Sequence, residues 1–358
     1  MKLSVLDLVP VLQGTDNAGA LGQALRLART AEALGCHRYW AAEHHDLPGL
    51  ACTAPEVLLA HIGAQTQTIR LGTGALLLPH YKAMKVAETF NMLAALYPGR
   101  IDLGLGRAPG GSAHAAIALS GNFLEGVRQL PDTLRSLLQL LQGTFRVENE
   151  PVTARPMPGI PPEVWLLGTN RKSAELAAEH GTGYVFGQFM SDQDAAETLA
   201  AYRQAYRPSE RAPRPQAIVA VGVVCAETEA EARRLAAEGQ RAFRPGAGET
   251  ARGGSGSAGA GAGAEAGGGL ADAGAVSAGA EDAKAQQAAP LPAGLAPGGE
   301  PDPAEERRLL AGTPQQVKAR LEAMAAEYSV DEFLVVTPVP HYEQRLRSYE
   351  LLAQAILA

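Results

Sequence analysis

Four consecutive residues, Glu43-His44-His45-Asp46, carry side chains of the types that most often transfer protons or bind metal ions. Successive residues of an extended chain point to opposite sides, so Glu43 and His45 share one side and His44 lies on the other. One such run cannot supply three metal ligands without a sharp turn. We therefore interpret His44 as a general acid or base, or as a group that polarises a substrate. The alternative is a histidine whose ring is held by a loop carbonyl.

Arg107 is a candidate anion-binding residue. It follows the apolar run at 101–105 and stands between Gly106 and the pair Gly110-Gly111, so exposed backbone N–H groups lie near it. A guanidinium in that setting suits a phosphate, which it holds through a forked pair of charge-assisted hydrogen bonds. An ion pair at the edge of the fold is the alternative interpretation.

A second anion-binding signal is the turn Gly168-Thr169-Asn170, which follows the apolar run at 163–167 and precedes a helical pattern that contains Ser173. A strand, a small polar turn and a helix N-terminus together bind anions through oriented N–H groups and the helix dipole. The side chains of Thr169, Asn170 and Ser173 can add hydrogen bonds. N-capping of the helix by Asn170 is an alternative that is compatible with this role.

Small residues end the third apolar run, in Gly72-Thr73-Gly74-Ala75. A glycine has no side chain, so a flat ligand can approach the backbone closely there. The same residues also fit ordinary tight packing, and the pattern by itself does not distinguish the two.

The elements that must position these residues alternate regularly between strand and helix. Apolar and β-branched runs predict eight strands, with runs of helical periodicity between them. Strands too apolar to have one solvated face indicate a parallel sheet covered by helices, and eight such units in about 300 residues fit a (β/α)8 TIM barrel. An open doubly wound sheet is the competing fold, but no GxGxxG follows the first strand. The predicted strands are 3–7, 38–42, 70–78, 101–105, 163–167, 184–186, 217–225 and 332–336.

Charge and cysteine usage exclude several classes of partner. The chain of 358 residues has a formal net charge of −7 and no Lys/Arg-rich run, which argues against nucleic acid or an anionic membrane surface. Its three cysteines lack CxxC spacing, so we expect neither a disulfide framework nor a structural zinc site. We find no apolar stretch of the ~18 residues that a membrane span needs and no secretory signal, and we expect a cytoplasmic protein without bound metal.

Residues 246–300 differ from the rest of the chain. These 55 residues contain 16 glycines and 18 alanines and no aromatic residue. Such a segment buries too little apolar surface to offset the entropy of ordering it. We therefore predict one barrel domain over residues 1–358 with a long flexible insertion between strands seven and eight. The insertion is either a lid over the site or a neutral expansion.

Three segments resemble the bacterial luciferase-like flavin-dependent monooxygenases: LGCHRYWAAEHHD at 34–46, the run from IRLGTGALLLPHY to YPGRIDLGLGRAPG at 69–110, and VWLLGTNRKSAELAAEHG at 164–181. The resemblance covers residues 1–245 and resumes at Leu310. It implies a luciferase-like barrel but no particular substrate. Luciferase itself has a reactive cysteine beside the arginine, where this chain has Leu105 and Gly106, so light emission is not implied.

The resemblance implies a role for each candidate residue. His44 matches the active-site histidine near the flavin. Gly74 and Ala75 match the backbone behind the isoalloxazine ring, where relatives have a non-proline cis peptide. Arg107 and the turn that begins at Gly168 match positions that contact the phosphate. The predicted cofactor-binding residues are Gly74, Ala75, Arg107, Gly168, Thr169, Asn170 and Ser173.

The resemblance also implies a cofactor and partners. FMN reduced by a separate NAD(P)H-dependent flavin reductase would react with O2 to form a C4a-peroxyflavin, which oxygenates a small organic substrate. We hypothesise that His44 stabilises or protonates that species and its products. Relatives often form homodimers through their second and third helices, which we predict here at 55–65 and 83–96.

Three other functions stay open. Some members of the superfamily bind the deazaflavin F420 and transfer hydride, although the match to the luciferase-like members favours FMN. A non-catalytic flavin-binding paralogue would have little need for both His44 and Arg107. A metal-dependent barrel hydrolase would use His44, His45, Asp46 and His80.

Overall fold

Eight parallel strands close into a barrel, as the alternating pattern predicts. The computed structural model of the chain describes residues 1–209, 212–242 and 308–358. Its strands are β1 (Lys2–Asp7), β2 (Arg38–Ala41), β3 (Arg70–Thr73), β4 (Leu76–Leu77), β5 (Ile101–Gly106), β6 (Arg146–Val147), β7 (Glu150–Pro151), β8 (Glu163–Gly168), β9 (Gly183–Gly187), β10 (Ala217–Cys225), β11 (Leu309–Gly312) and β12 (Glu332–Val336). The barrel order is β1-β2-β3-β5-β8-β9-β10-β12, and β12 pairs with β1 to close it.

Helices follow the strands and cover the outside of the barrel. On α6, for example, the buried leucines Leu134, Leu137 and Leu141 lie on one face and join the main hydrophobic core. The described helices are α1 (Asn17–Ala33), α2 (Pro55–Gly63), α3 (Ala83–Leu96), α4 (Ala113–Ser120), α5 (Phe123–Arg128), α6 (Leu130–Gln142), α7 (Arg171–Glu179), α8 (Ala195–Ala205), α9 (Glu229–Ala242), α10 (Pro314–Tyr328) and α11 (Tyr342–Ile356).

Large side chains fill the inside of the barrel. Trp40 of β2 and Trp165 of β8 meet edge to face, with their ring centroids 6.0 Å apart. Leu6, Leu334 and other buried apolar residues pack with them as a separate hydrophobic cluster. The barrel is therefore a packed core, and chemistry belongs at its ends.

The amino ends of the strands carry a buried network of charges. Arg38, at the start of β2, donates to Asp102 Oδ2 over 2.8 Å and to Glu332 Oε1 over 2.8 Å. Ser4 donates to the same oxygen of Glu332, and Arg70 Nε donates to Asp102 Oδ1 over 3.1 Å. The Arg38 and Asp102 side chains are 5% and 0% exposed, so this end of the barrel is sealed by paired charges.

The third predicted strand, 70–78, is interrupted. It divides into β3 and β4, which both pair with β5, and the Gly74–Ala75 peptide bond between them is cis. Four residue steps separate Gly72 from Leu76, whereas three separate their partners on β5, so the third strand bulges by one residue. The apolar run continues through the bulge, which is why the sequence pattern predicts one unbroken strand.

Other elements also differ from the prediction. The helical periodicity of residues 123–141 predicts one helix, but the structure has two, α5 and α6, because Pro131 in the first turn of α6 has no N–H to continue the α5 hydrogen bonds. Strand β11 pairs with the second half of β10, and its short Leu-Leu-Ala-Gly run gives too weak a strand signal. Helix α4 and the β6–β7 hairpin were not predicted either.

The Gly/Ala-rich insertion at 246–300 lies outside the described residues, between β10 and β12 in the chain. The assignment of all 358 residues to one domain stays a prediction. Among the helices of the described residues, none is both long and apolar enough to cross a membrane.

Candidate functional site

The loop after β2 holds a buried carboxylate, Glu43, that accepts three hydrogen bonds. Its Oε1 accepts from His45 Nε2 over 2.7 Å and from the Tyr81 hydroxyl over 2.8 Å. Its Oε2 accepts from the backbone N–H of Leu77 over 2.9 Å. Glu43 and His45 therefore share one side of the chain, as the alternation of an extended segment predicts.

His44 lies on the other side and is held by its backbone, whose N–H donates to the carbonyl of Cys52 over 2.9 Å. Its Nδ1 is buried and has no hydrogen-bond partner in the part of the chain that the structure describes. Burial lowers the pKa of the His44 imidazole to about 4, because the charged form loses its hydration. His44 is therefore neutral near pH 7, with a buried ring nitrogen available to a ligand.

The bulge in the third strand is tied to this loop through the backbone. Gly74 donates to the carbonyl of Ala41 over 2.8 Å, and Glu43 donates to the carbonyl of Ala75 over 3.3 Å. The cis peptide between Gly74 and Ala75 is the geometry that the family resemblance implies for this position. A Cβ at Gly106 would lie 2.9 Å from the Ala75 methyl group, so the bulge packs closely against the end of β5.

Arg107 follows β5 and lines a cavity of about 100 Å3 together with Ser173 and Lys172 of α7. The apolar remainder of the wall includes Leu166 and Leu176. Within residues 1–209, 212–242 and 308–358, no hydrogen bond or ion pair of the Arg107 side chain is present. An unpaired guanidinium beside a helix N-terminus is the arrangement expected of an anion site.

The first turn of α7 closes the same cavity. Asn170 caps the helix by accepting from Ser173 N over 3.1 Å, and Ser173 Oγ donates to the Asn170 carbonyl over 2.6 Å. The Ser173 hydroxyl also lies 3.0 Å from the Tyr184 hydroxyl. A Cβ at Gly168 would stand 2.0 Å from Ser173 Oγ, so only glycine fits there. Capping by Asn170 is thus real and occupies its side-chain oxygen with the N–H of Ser173, while the N–H groups of Arg171 and Lys172 have no acceptor within the helix.

The four residues of the alternative metal site are not gathered around one point. His80 bonds through both ring nitrogens, to Ser120 Oγ and to the Pro109 carbonyl, each over 3.0 Å. Asp46 accepts from the Ser112 hydroxyl over 2.9 Å. Among the residues that the structure describes, no group of three or more His, Cys, Asp or Glu side chains is placed to hold a metal ion.

The structure brings the predicted residues together in two groups at the carboxyl ends of the strands. One group joins the His44 loop to the Gly74–Ala75 bulge, and the other joins Arg107 to the first turn of α7. Sequence reasoning missed Tyr81 and Lys172. Lys172 stands at the second position of a helix already predicted to bind an anion, so its charge was a usable signal. Tyr81 carried none, because its contact with Glu43 depends on the bulge.

The three cysteines lie away from any surface. Cys36, Cys52 and Cys225 are all buried and unpaired, and burial raises the pKa of each thiol to about 12.

Comparison with known proteins identifies relatives along the whole chain. The family model described as luciferase-like monooxygenase matches residues 1–332. The N-acetyl-S-alkylcysteine monooxygenase of Bacillus subtilis is 32% identical over 373 residues, which cover 100% of this chain and 99% of that protein. The crystal structure of apo-MsnO8 is 34% identical and covers 99% of this chain and 98% of its own, with a TM-score of 0.78.

More distant solved structures share the fold. The oxygenating constituent of 3,6-diketocamphane monooxygenase from Pseudomonas putida, in complex with FMN, is 19% identical with a TM-score of 0.65, and the match covers 99% of this chain and 97% of that one. An F420-dependent secondary alcohol dehydrogenase is 14% identical with a TM-score of 0.62, over 99% and 98% of the two chains. At these identities the likeness establishes the barrel alone.

Proposed function

The chain belongs to the luciferase-like monooxygenase family, and on that premise we propose that it uses reduced FMN and O2 to oxygenate a small organic substrate. The observation that carries the proposal is the Arg107 guanidinium, which has no ion pair among the described residues and lines one cavity with the first turn of α7. A phosphate-bearing cofactor would neutralise this charge. The relative that acts on N-acetyl-S-alkylcysteine and the structure that holds FMN support the same class of reaction.

The residues present fit FMN at both of its ends. Arg107, Thr169, Ser173 and the N–H groups of the α7 first turn would hold the phosphate, with the side chain of Asn170 already committed to its cap. The backbone at Gly74, Ala75 and Gly168 would face the cofactor where side chains are small or absent. A flavin without a phosphate would lose the contacts with Arg107 and α7 and keep the contacts with the backbone at Gly74 and Ala75.

When bound, reduced FMN would supply the two electrons with which one atom of O2 enters the substrate and the other leaves as water. The part of this chain is to position groups and move protons. Because its pKa is about 4, the imidazole of His44 is neutral at pH 7, and its part would be to hydrogen-bond the reacting oxygen atoms through its ring nitrogens and to hold a proton only in passing. The apolar barrel interior beneath the bulge, with Leu6 and Trp40, contains few groups that bind water.

We assign the supply of electrons to a separate NAD(P)H-dependent reductase in the same compartment, the cytoplasm. Two copies of the chain would associate through α2 and α3. Those helices leave large apolar side chains exposed, Val57 at 67%, Met92 at 52% and Leu96 at 59%. Exposed apolar side chains mark a protein interface where they adjoin one another. Sedimentation of the wild type as a dimer and of Leu96→Arg as a monomer would support this assembly.

The test is a titration of the purified full chain with FMN, riboflavin and F420, followed by flavin or deazaflavin fluorescence. We expect FMN to bind best, and Arg107→Ala to weaken FMN binding about 100-fold, the loss of roughly two charge-assisted hydrogen bonds, while riboflavin binding changes little. Arg171→Ala is the matched control. Arg171 lies on the first turn of α7, near the same cavity, but its side chain is exposed and pairs with Glu175.

Turnover completes the test. With NADH, a flavin reductase and FMN, oxygen uptake should rise when a suitable thioether, ketone, aldehyde or aromatic acceptor is added. Preferential binding of F420 with no binding of FMN would make the chain a hydride-transfer enzyme instead. Flavin binding without stimulated uptake by any acceptor would favour a non-catalytic paralogue.

A further inference from the structure

The contacts of Glu43 connect three loops at the carboxyl end of the barrel. Its backbone N–H donates to the carbonyl of Ala75, just before β4, over 3.3 Å. Its carboxylate accepts from the N–H of Leu77, in β4, over 2.9 Å. Its Oε1 accepts from His45, whose own backbone N–H donates to the Gly110 carbonyl over 2.8 Å. Glu43 thereby joins the loop after β2 to the bulge of the third strand and, through His45, to the loop that follows Arg107.

All three side-chain contacts of Glu43 require an acceptor. A carboxylate offers two oxygens with about four acceptor positions, whereas an amide of the same shape offers one oxygen and an NH2 donor. Burial and the neighbouring Glu43 carboxylate raise the pKa of Tyr81, so its hydroxyl stays protonated and donates. The Glu43 side chain is 0% exposed, so water cannot replace a partner that is lost.

From these contacts we infer that Glu43 is a positioning residue: it fixes the backbone of the Gly74–Ala75 bulge, and the adjacent His44, for the flavin ring. Its side chain is 0% exposed and bonded to protein donors, so it acts through the backbone at Ala75 and Leu77. The identity of the positioned ligand rests on the proposed function, whereas the hold on the bulge is a property of the apoprotein. The resemblance to known relatives assigned no role to Glu43 or Tyr81.

The first experiment uses the apoprotein and hydrogen–deuterium exchange. Glu43→Gln is expected to speed exchange of the Leu77 amide about tenfold or more, because one charged hydrogen bond is lost. Peptides from β5 should keep their wild-type protection. The matched control is Glu332→Gln, an equally buried carboxylate at the opposite end of the barrel, which accepts from Ser4 and Arg38. It should lower stability without local exchange at Leu77.

The second experiment measures FMN binding by the same variants. Glu43→Gln should weaken FMN binding about tenfold, and Glu332→Gln should leave it unchanged. Tyr81→Phe removes one donor and keeps the carboxylate, so it should give a smaller loss, and it serves if Glu43→Gln does not fold. Wild-type protection at Leu77 together with wild-type FMN affinity in Glu43→Gln would overturn the inference. Failure of the wild type to bind FMN would instead overturn the proposed function, and the exchange result would still decide whether Glu43 holds the bulge.

Discussion

The two ends of the barrel treat their polar groups in opposite ways. At the amino end, Arg38, Asp102 and Glu332 bond to one another and leave few polar atoms unsatisfied. At the carboxyl end, Arg107 has no partner among the described residues and His44 Nδ1 is buried without one. A buried polar group without a partner costs stability. Our proposal assigns the paired charges of the amino end to the fold and assigns Arg107 and His44 to the site, so mutations at the two ends should differ accordingly.

The largest effect is expected at the amino end. Asp102→Asn removes the charge that pairs with Arg38 and Arg70 inside the barrel, and we expect the free energy of unfolding to fall by about 3 kcal/mol. FMN affinity of the folded protein should not change. Urea denaturation with Asp132→Asn, whose ion pair with Arg135 is exposed, provides the control. A loss of FMN binding in Asp102→Asn at conditions where it is fully folded would break the division between the two ends.

The next effect concerns pH and His44. Its pKa is about 4 in the folded protein, whereas an unperturbed histidine has about 6.5. Between pH 6.5 and pH 4 the His44 ring is protonated in the unfolded chain but not in the folded one. Acid therefore favours the unfolded state, and His44 lowers the free energy of unfolding as the pH falls through this range. Because the ring is mostly buried but keeps some contact with solvent, we expect this contribution to be about 1–2 kcal/mol at pH 4.5. His44→Gln should lose that much less stability between pH 7 and pH 4.5 than the wild type, and the exposed His61→Gln should behave as the wild type.

A third variant tests the helix cap inside the site. Asn170→Ala should cost about 1 kcal/mol of stability, because Ser173 N loses its acceptor. It should also weaken FMN binding, because the first turn of α7 then moves more freely. Asp194→Ala removes the corresponding cap of α8, where Asp194 accepts from Glu197 N over 2.9 Å. Equal effects of the two variants on FMN affinity would show that the α7 cap has no part in the site.

The smallest effect on stability is expected for Arg107→Ala. The substitution removes no hydrogen bond or ion pair with any described residue. The free energy of unfolding of the apoprotein should therefore stay within about 0.5 kcal/mol of the wild-type value. FMN at 100 times its Kd should stabilise the wild type by about 2.7 kcal/mol and stabilise the variant far less. A marked loss of apoprotein stability would mean that Arg107 serves the fold, as the charges at the amino end do.

Local sequence signals were sufficient for the frame of the molecule. The apolar runs predicted each barrel strand. A cap residue followed by proline, as in Thr313-Pro314, predicts a helix start, and α10 begins there with a capping box between Thr313 and Gln316. The adjacency of Arg107 and the first turn of α7 followed from barrel topology, since consecutive strands lie side by side. Their part in cofactor binding stays a prediction.

What the sequence could not reveal depends on contacts between distant residues. The apolar pattern does not show the break at Gly74–Ala75, which only the family resemblance implied and which the pairing of the third strand with β5 displays. The three donors to Glu43 come from Leu77, Tyr81 and His45, and two of them are in reach only because the bulge exists. The same limit applies to the amino end, where Arg38 finds Glu332 across nearly 300 residues of chain.

The buried thiols have a consequence for the durability of the protein in use. An oxygenase that releases some of its oxygen as H2O2 exposes its own cysteines to damage, and the thiolate is the form that peroxide attacks. With pKa values of about 12, the thiols of Cys36, Cys52 and Cys225 are ionised about once in 10⁵ molecules at pH 7. Sulfenic acid formation at these positions is therefore slow in the folded state. Any oxidation by added H2O2 should fall first on other side chains, and the folded protein should keep its three thiols.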